Sequence, residues 1–171
     1  VVDNRGRKTV VDLMTGVKER VFPVGRLDYD TRGLMLLTND GDFANLMTHP
    51  RYQIPKVYEA RCRGRIDGDA IKKLEQGIIL DEELTSPARV RVLRQTTEDS
   101  IIQIQISEGR KRQVRRMMVA VGFPVLDLKR VKLGLLELHG LSEGEFRFLS
   151  PKEVELMKRQ ALDQRSKARF E

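Results

Sequence analysis

Residues 25–41 read Gly-Arg-Leu-Asp-Tyr-Asp-Thr-Arg-Gly-Leu-Met-Leu-Leu-Thr-Asn-Asp-Gly, a polar segment followed at once by an apolar one. The apolar part, residues 34–38, predicts a short buried strand. The Asn-Asp-Gly that ends the stretch predicts a turn. Asp28 therefore stands in a loop at the mouth of that strand, two residues after Arg26. A carboxylate that loses water there stays ionised beside a guanidinium group, which makes Asp28 a candidate nucleophile.

The spacing of Arg26 and Asp28 has a second interpretation. An Arg-x-Asp pair in a polar loop is usually a surface ion pair that contributes little to stability. Spacing alone favours this second interpretation, because short motifs match by chance often.

Composition limits the class of protein. The chain has 171 residues, of which 40% are hydrophobic, so it is long enough for one domain with a real core, and we expect residues 1–171 to form that single domain. No apolar run has the length of a membrane span. Its single cysteine, Cys62, excludes an internal disulfide and fits a cytoplasmic location. The two histidines, His49 and His139, lack ligand spacing, so we expect no metal site.

The positive charge is concentrated in one segment. Lysine and arginine number 32 against 25 acidic residues, which gives a net charge of +7. Residues 110–116 read Arg-Lys-Arg-Gln-Val-Arg-Arg, with five basic residues and no acid. A clustered excess of this kind indicates binding to nucleic-acid phosphates.

Hydrophobic periodicity predicts strands and helices over most of the chain. Residues 56–63 alternate, with Tyr58, Ala60 and Cys62 on one face, as a half-buried strand requires. Further strands are expected at residues 21–24, 34–38, 89–93, 101–107, 126–133 and 145–149, and helices at residues 42–47, 67–76 and 112–121 and from a capping box at Ser150. Residues 164–171 are expected to be a frayed tail. Strands outnumber helices and follow one another directly, so we expect an α+β fold with a mixed, mainly antiparallel sheet and flanking helices.

The opening stretch extends well beyond Arg26 and Asp28. Gly25-Arg26-Leu27-Asp28, Thr31, Gly33-Leu34 and Leu36-Leu37-Thr38-Asn39-Asp40-Gly41 together resemble the catalytic motif of the RNA pseudouridine synthases that modify ribosomal RNA. Within that family, the residues of this motif are most similar to those of the large-subunit synthases of the B type. In that family the aspartate that matches Asp28 is the nucleophile, so the resemblance favours the catalytic interpretation.

Three other segments resemble motifs of the same family. Residues 56–59 resemble the second motif, whose tyrosine, here Tyr58, lies against the target uracil. Residues 108–117 resemble the third, whose arginine, here Arg115, pairs with the nucleophile. Residues 128–134 resemble a fourth, whose apolar residue, here Leu133, packs near the base. Without the resemblance, a buried strand tyrosine usually only packs.

The resemblance also assigns residues to RNA contact. The residues expected on the RNA backbone are Arg110, Lys111, Arg112 and Arg116. Arg26 is expected to fill the space that a flipped base leaves, or to hold the flanking phosphate. The alternatives are a solvated basic face and a loop ion pair.

The implied reaction is an isomerisation of uridine, in which the N1–C1′ bond breaks and C5 joins C1′. It involves no redox change, so no cofactor and no metal are expected. Asp28 attacks either the base or C1′, and the sequence does not choose between them. The expected partner is large-subunit 23S ribosomal RNA, with the small subunit as the alternative, and the chain is expected to act as a monomer.

Two other classes of protein remain as alternatives. A non-catalytic RNA-binding or ribosome-assembly module would use the basic segment alone and would not need Asp28. A hydrolase with an aspartate nucleophile would need phosphate-cradling glycines and a cluster of metal-binding carboxylates, and neither is found.

The family's catalytic domain normally opens with a strand carrying Lys-Pro-x-Gly, and a small S4-type RNA-binding domain often precedes it. Neither is found in residues 1–171. We therefore expect this chain to be a catalytic domain without those two parts.

Overall fold

The computed structural model describes residues 9–138 and 140–167. The chain divides into two compact units. The first unit comprises Val1–Leu27, Met35–Ile54 and Leu135–Glu171, and the second comprises Asp28–Leu34 and Pro55–Gly134. Asp28 and the second, third and fourth motifs all belong to the second unit.

Within the described residues there are ten strands, four α-helices and two short 3-10 helices. The strands are β1 (Phe22–Pro23), β2 (Arg32–Gly33), β3 (Leu37–Thr38), β4 (Lys56–Arg63), β5 (Ile79–Leu80), β6 (Glu83–Leu84), β7 (Arg89–Gln95), β8 (Asp99–Ile106), β9 (Val125–Leu133) and β10 (Leu136–Glu137). The helices are α1 (Gly41–Thr48), α2 (Gly68–Gln76), α3 (Gln113–Ala120) and α4 (Pro151–Lys167), and the 3-10 helices are Val10–Leu13 and Pro50–Tyr52. The expected α+β class is confirmed.

The second unit is built on one sheet with the strand order β2-β9-β4-β8-β7. β2 runs parallel to β9, and the other three pairings are antiparallel. One face of the sheet is apolar because β4 and β8 alternate as the sequence predicts, and it packs against the apolar stripes of α2 and α3. Ile102, Ile104, Leu74 and Met117 are completely buried in this core.

The first unit is mainly helical. Met47 of α1 and Met157 of α4 are buried in it. The amide of Phe43 donates to the Asp40 carboxylate, so Asp40 caps α1, and the helix begins one residue before the predicted start at residue 42. Asp40 also pairs with Lys158 of α4 at 3.2 Å.

The C-terminal helix begins as predicted. Ser150 and Glu153 form a reciprocal capping box, and proline occupies the first helical position. The helix continues to Lys167, so residues 164–167 belong to α4. Residues 168–171 of the expected tail lie outside the described residues.

Two expected strands are wrong. Residues 34–38 do not form one strand, because β2 ends at Gly33 and only Leu37–Thr38 pair with β1. Residues 145–149 form no strand. Their alternation brings the rings of Phe146 and Phe148 edge to face at 5.9 Å, and Phe148 is exposed.

Candidate functional site

Asp28 begins a turn at the edge of the sheet of the second unit. The amide of Thr31 donates to the Asp28 carbonyl at 2.9 Å, and the chain then enters β2. Within the part of the chain that the structure describes, the half-buried carboxylate of Asp28 has no ion pair and no hydrogen bond. The turn therefore presents an uncommitted carboxylate, as a nucleophile requires.

The turn is tied to α3 through Asp30. Arg112, just before α3, donates two hydrogen bonds to the Asp30 carboxylate, at 2.7 and 2.8 Å. Arg115 donates to the Asp30 carbonyl at 2.6 Å, and its Nε lies 3.3 Å from the carboxylate. The expected ion pair between Arg115 and Asp28 is therefore not formed. The turn places the carboxylate of Asp30, and not that of Asp28, against Arg112 and Arg115.

The two arginines also set the charge of Asp30. Hydrogen bonds from Arg112 lower the pKa of Asp30 from 3.8 to about 2, with the charge of Arg115 acting in the same direction and burial opposing them. Asp30 is thus fully ionised at neutral pH. Because its carboxylate is 43% exposed, we expect salt to weaken this clamp.

Asp30→Asn is expected to lower the stability of the folded chain in a pH-dependent way. The folded pKa lies below the ordinary value of 3.8, so the clamp contributes fully above about pH 4 and is lost as pH falls towards 2. Urea midpoints of wild type and variant measured from pH 7 to pH 2.5 should differ by a constant amount down to about pH 4 and converge below it. An undiminished gap at pH 2.5 would contradict the clamp, and Asp69→Asn, an exposed change on α2, is the matched control.

Tyr58 lies on the apolar face of β4, opposite Arg130 of β9. Arg130 is only 3% exposed and hydrogen-bonds the Tyr58 hydroxyl. Burial raises the pKa of Tyr58, Arg130 opposes that rise, and the charge of Asp28 adds to it. The charges of Arg130 and Asp28 therefore act on the Tyr58 hydroxyl in opposite directions.

Arg130 also holds the segment that follows Asp28. Its Nε donates to the Leu34 carbonyl at 2.8 Å, and its own carbonyl accepts from the Leu34 amide at 2.8 Å. One buried guanidinium thus joins β9, β4 and the segment that follows Asp28. The alternation of Leu128 and Arg130 along β9 was the sequence signal for its inward position.

Lys56 extends the polar group along β4, two residues from Tyr58. Burial, together with the charge of Arg130, lowers the pKa of Lys56 to about 8 against the opposing charge of Glu108. Glu108 in turn accepts from the side chain of Gln113 at 2.5 Å. Neither Lys56 nor Glu108 was among the expected site residues, although each lies inside a motif.

Most arginines of the basic segment, residues 110–116, form hydrogen bonds within the chain. Arg110 donates to the carbonyls of Leu80, Glu83 and Leu84 at 2.8 to 3.3 Å. Arg116 makes two hydrogen bonds to Asp81, at 2.8 and 2.6 Å. Arg112 is held by Asp30, whereas Lys111 is exposed. Three of the four residues expected on RNA phosphates thus have intramolecular partners in the free chain.

The two remaining expected residues differ in their surroundings. Leu133 is 2% exposed and lies opposite Lys56 at the end of β9. Arg26 is exposed and belongs to the first unit.

The described residues contain no group of three or more histidine, cysteine or acidic side chains placed to hold a metal ion. Across the same residues, no helix is both long and apolar enough to span a membrane.

Comparison with known proteins identifies the family. Residues 6–120 match the family model described as RNA pseudouridylate synthase. The chain is 48% identical over 158 residues to ribosomal large subunit pseudouridine synthase B of Bacillus subtilis, covering 91% of this chain and 65% of that protein. It is 40% identical to ribosomal large subunit pseudouridine synthase E of Xanthomonas campestris, covering 77% of this chain and 79% of that protein.

A solved structure agrees with these matches. A crystal structure of a pseudouridylate synthase superposes with a TM-score of 0.75 at 36% identity, over 80% of this chain and 59% of that chain. The chain therefore spans just under two thirds of the length of the Bacillus relative and of the solved synthase.

Proposed function

This chain belongs to the RNA pseudouridylate synthase family, and we propose that it isomerises a uridine of ribosomal RNA to pseudouridine. The observation that carries the proposal is the Asp28 carboxylate, which has no ion pair among the described residues and whose charge acts on Tyr58, with Arg130 hydrogen-bonded to both the tyrosine and the segment that follows Asp28. The two named relatives both act on the large ribosomal subunit, which favours 23S RNA as the substrate.

Asp28 is the proposed nucleophile. Its attack on the base ring or on C1′ accompanies cleavage of the N1–C1′ bond, and the ring then rejoins C1′ through C5. C5 loses its proton and N1 gains one, so atoms and electrons balance without an added reactant. The target base must leave its stack to reach Asp28, at a cost of a few kcal/mol.

Tyr58 is proposed to stack on the detached ring and to accept the C5 proton. Burial raises the pKa of Tyr58 and disfavours the phenolate, and Arg130 opposes that rise, so Arg130 favours the ionised form that can accept a proton. Leu133, buried at the end of β9, is proposed to pack near the base.

The arginines are proposed to position the loop and bind the RNA backbone. Arg115 and Arg112 hold the turn that carries Asp28 through their contacts with Asp30. Lys111 is exposed and needs no rearrangement to meet a phosphate. Arg110 and Arg116 would exchange carbonyls and Asp81 for phosphate oxygens on binding, and Arg26 would contact the flanking phosphate.

The proposal is tested by base-resolved pseudouridine mapping of ribosomal RNA from cells that lack this protein. Wild type supplied back is expected to restore one uridine site. In purified reactions, Tyr58→Phe is expected to form pseudouridine about 100-fold or more slowly than wild type, because stacking remains and the proton acceptor is lost. No modified site with wild type would overturn the proposed function, and full speed with Tyr58→Phe would leave Tyr58 only a stacking role.

A further inference from the structure

The sheet of the second unit has an outer face that is rich in arginine. Val90 and Val92 of β7 point into the core, so Arg89 and Arg91 lie on the opposite face. A bulge between Val92 and Arg94 returns Arg94 to that outer face. We call the exposed set Arg61, Arg63, Arg89, Arg91 and Arg94 the outer arginine face.

The strand register places these arginines in adjacent rows. Arg94 lies opposite Ile101, and Ile101 lies opposite Arg61. Arg89 and Arg91 face Gln105 and Gln103, whose amide groups are also hydrogen-bond donors. The result is a flat array of cations and amides across three neighbouring strands.

The outer arginine face differs from the α3 segment in how its charge is balanced. Arg61 pairs with Asp99 at 3.3 Å. Among the residues that the structure describes, Arg63, Arg89, Arg91 and Arg94 have no ion pair and are exposed. The other carboxylates on this face are Glu59 and Asp127, and Asp127 is paired with Arg32 at 2.7 Å.

We propose that the outer arginine face is a second RNA-binding surface, which holds phosphates of ribosomal RNA away from the turn that carries Asp28. Four exposed arginines that form no ion pair with the described residues match the phosphates of a polyanion. These arginines make non-specific phosphate contacts, which position the RNA and do not select the target base. The inference rests on the proposed RNA substrate.

The test replaces Arg89, Arg91 and Arg94 together by glutamine. The control variant carries Lys72→Gln, Lys73→Gln and Lys152→Gln, at three exposed positions on helices. It loses the same three positive charges as the arginine variant. Binding of a fluorescent transcript of bacterial large-subunit ribosomal RNA is followed by anisotropy at several salt concentrations. Each lost phosphate contact reduces the slope of log K against log salt by about 0.7 to 0.9, so a reduction of about two is expected.

The salt slopes of the two variants show whether the outer arginine face contacts RNA. A slope equal to that of the control variant would overturn the proposal and leave the face to solvent or to a protein partner. Absence of RNA binding by wild type would overturn it too. The slope does not depend on turnover, so a wild type that binds RNA without making pseudouridine would fail the proposed function and leave this inference standing. With active wild type, the triple glutamine variant should keep kcat and raise KM.

Discussion

Asp28→Asn is expected to lower pseudouridine formation by about a thousandfold or more while the Kd for ribosomal RNA stays within a few fold of wild type. Removing a group that reacts covalently costs several orders of magnitude in rate. The asparagine keeps the shape of the side chain. It also leaves the hydrogen bond from the Thr31 amide to the residue 28 carbonyl in place. The measurement is a single-turnover assay at saturating enzyme, with RNA binding followed in parallel.

The control for this experiment is Asp69→Asn, which removes one exposed negative charge from the second unit far along the chain from the turn. It is expected to leave turnover unchanged. Turnover of Asp28→Asn within tenfold of wild type would contradict the nucleophile assignment. Equal loss of RNA binding and of turnover would indicate that Asp28 shapes the loop and does not react.

The same turn shows what the sequence could predict about the site and what it could not. The motif selected Asp28 and Arg115 as partners, but Asp28 and Asp30 are two residues apart and the spacing of residues on α3 suits either one. Only the turn closed by Thr31 decides that Asp30 meets Arg112 and Arg115. Pairing between a helix and a loop depends on tertiary structure, which periodicity does not contain.

Strand prediction succeeded where the pattern was local. Residues 56–63 alternate strictly and form β4 with those bounds. The hydrophobicity of residues 34–38 indicated burial but did not determine which strand each residue would pair with. Its first residue hydrogen-bonds with Arg130, and Leu37 pairs with Pro23 of β1 in the first unit. Arg130 was missed because charged residues are seldom fully buried, so an arginine between Lys129 and Lys132 is expected at the surface.

Gly33→Ala is expected to destabilise the chain by about 3 to 5 kcal/mol, a large share of the stability of an ordinary domain. Gly33 has φ +109°, which any side chain strains. A Cβ at this position would overlap the carbonyl oxygen of Arg130 and lie 2.7 Å from its amide nitrogen. These are backbone atoms of β9, so relief requires β2 to separate from β9. Loss of the Leu34–Arg130 hydrogen bonds then adds to the cost.

The measurement is the free energy of unfolding from urea denaturation, with Gly68→Ala as the control. Gly68 opens α2 with no atom within 4 Å of the added Cβ and no left-handed φ, so alanine there is expected to be neutral or slightly stabilising. A loss below about 1 kcal/mol for Gly33→Ala would mean that β2 does not pair with β9 as described. Because β2 follows the turn that carries Asp28, a larger loss should be accompanied by reduced turnover at temperatures where the variant is still folded. The glycine of the motif would then be required by the close approach of two strands and not by contact with RNA.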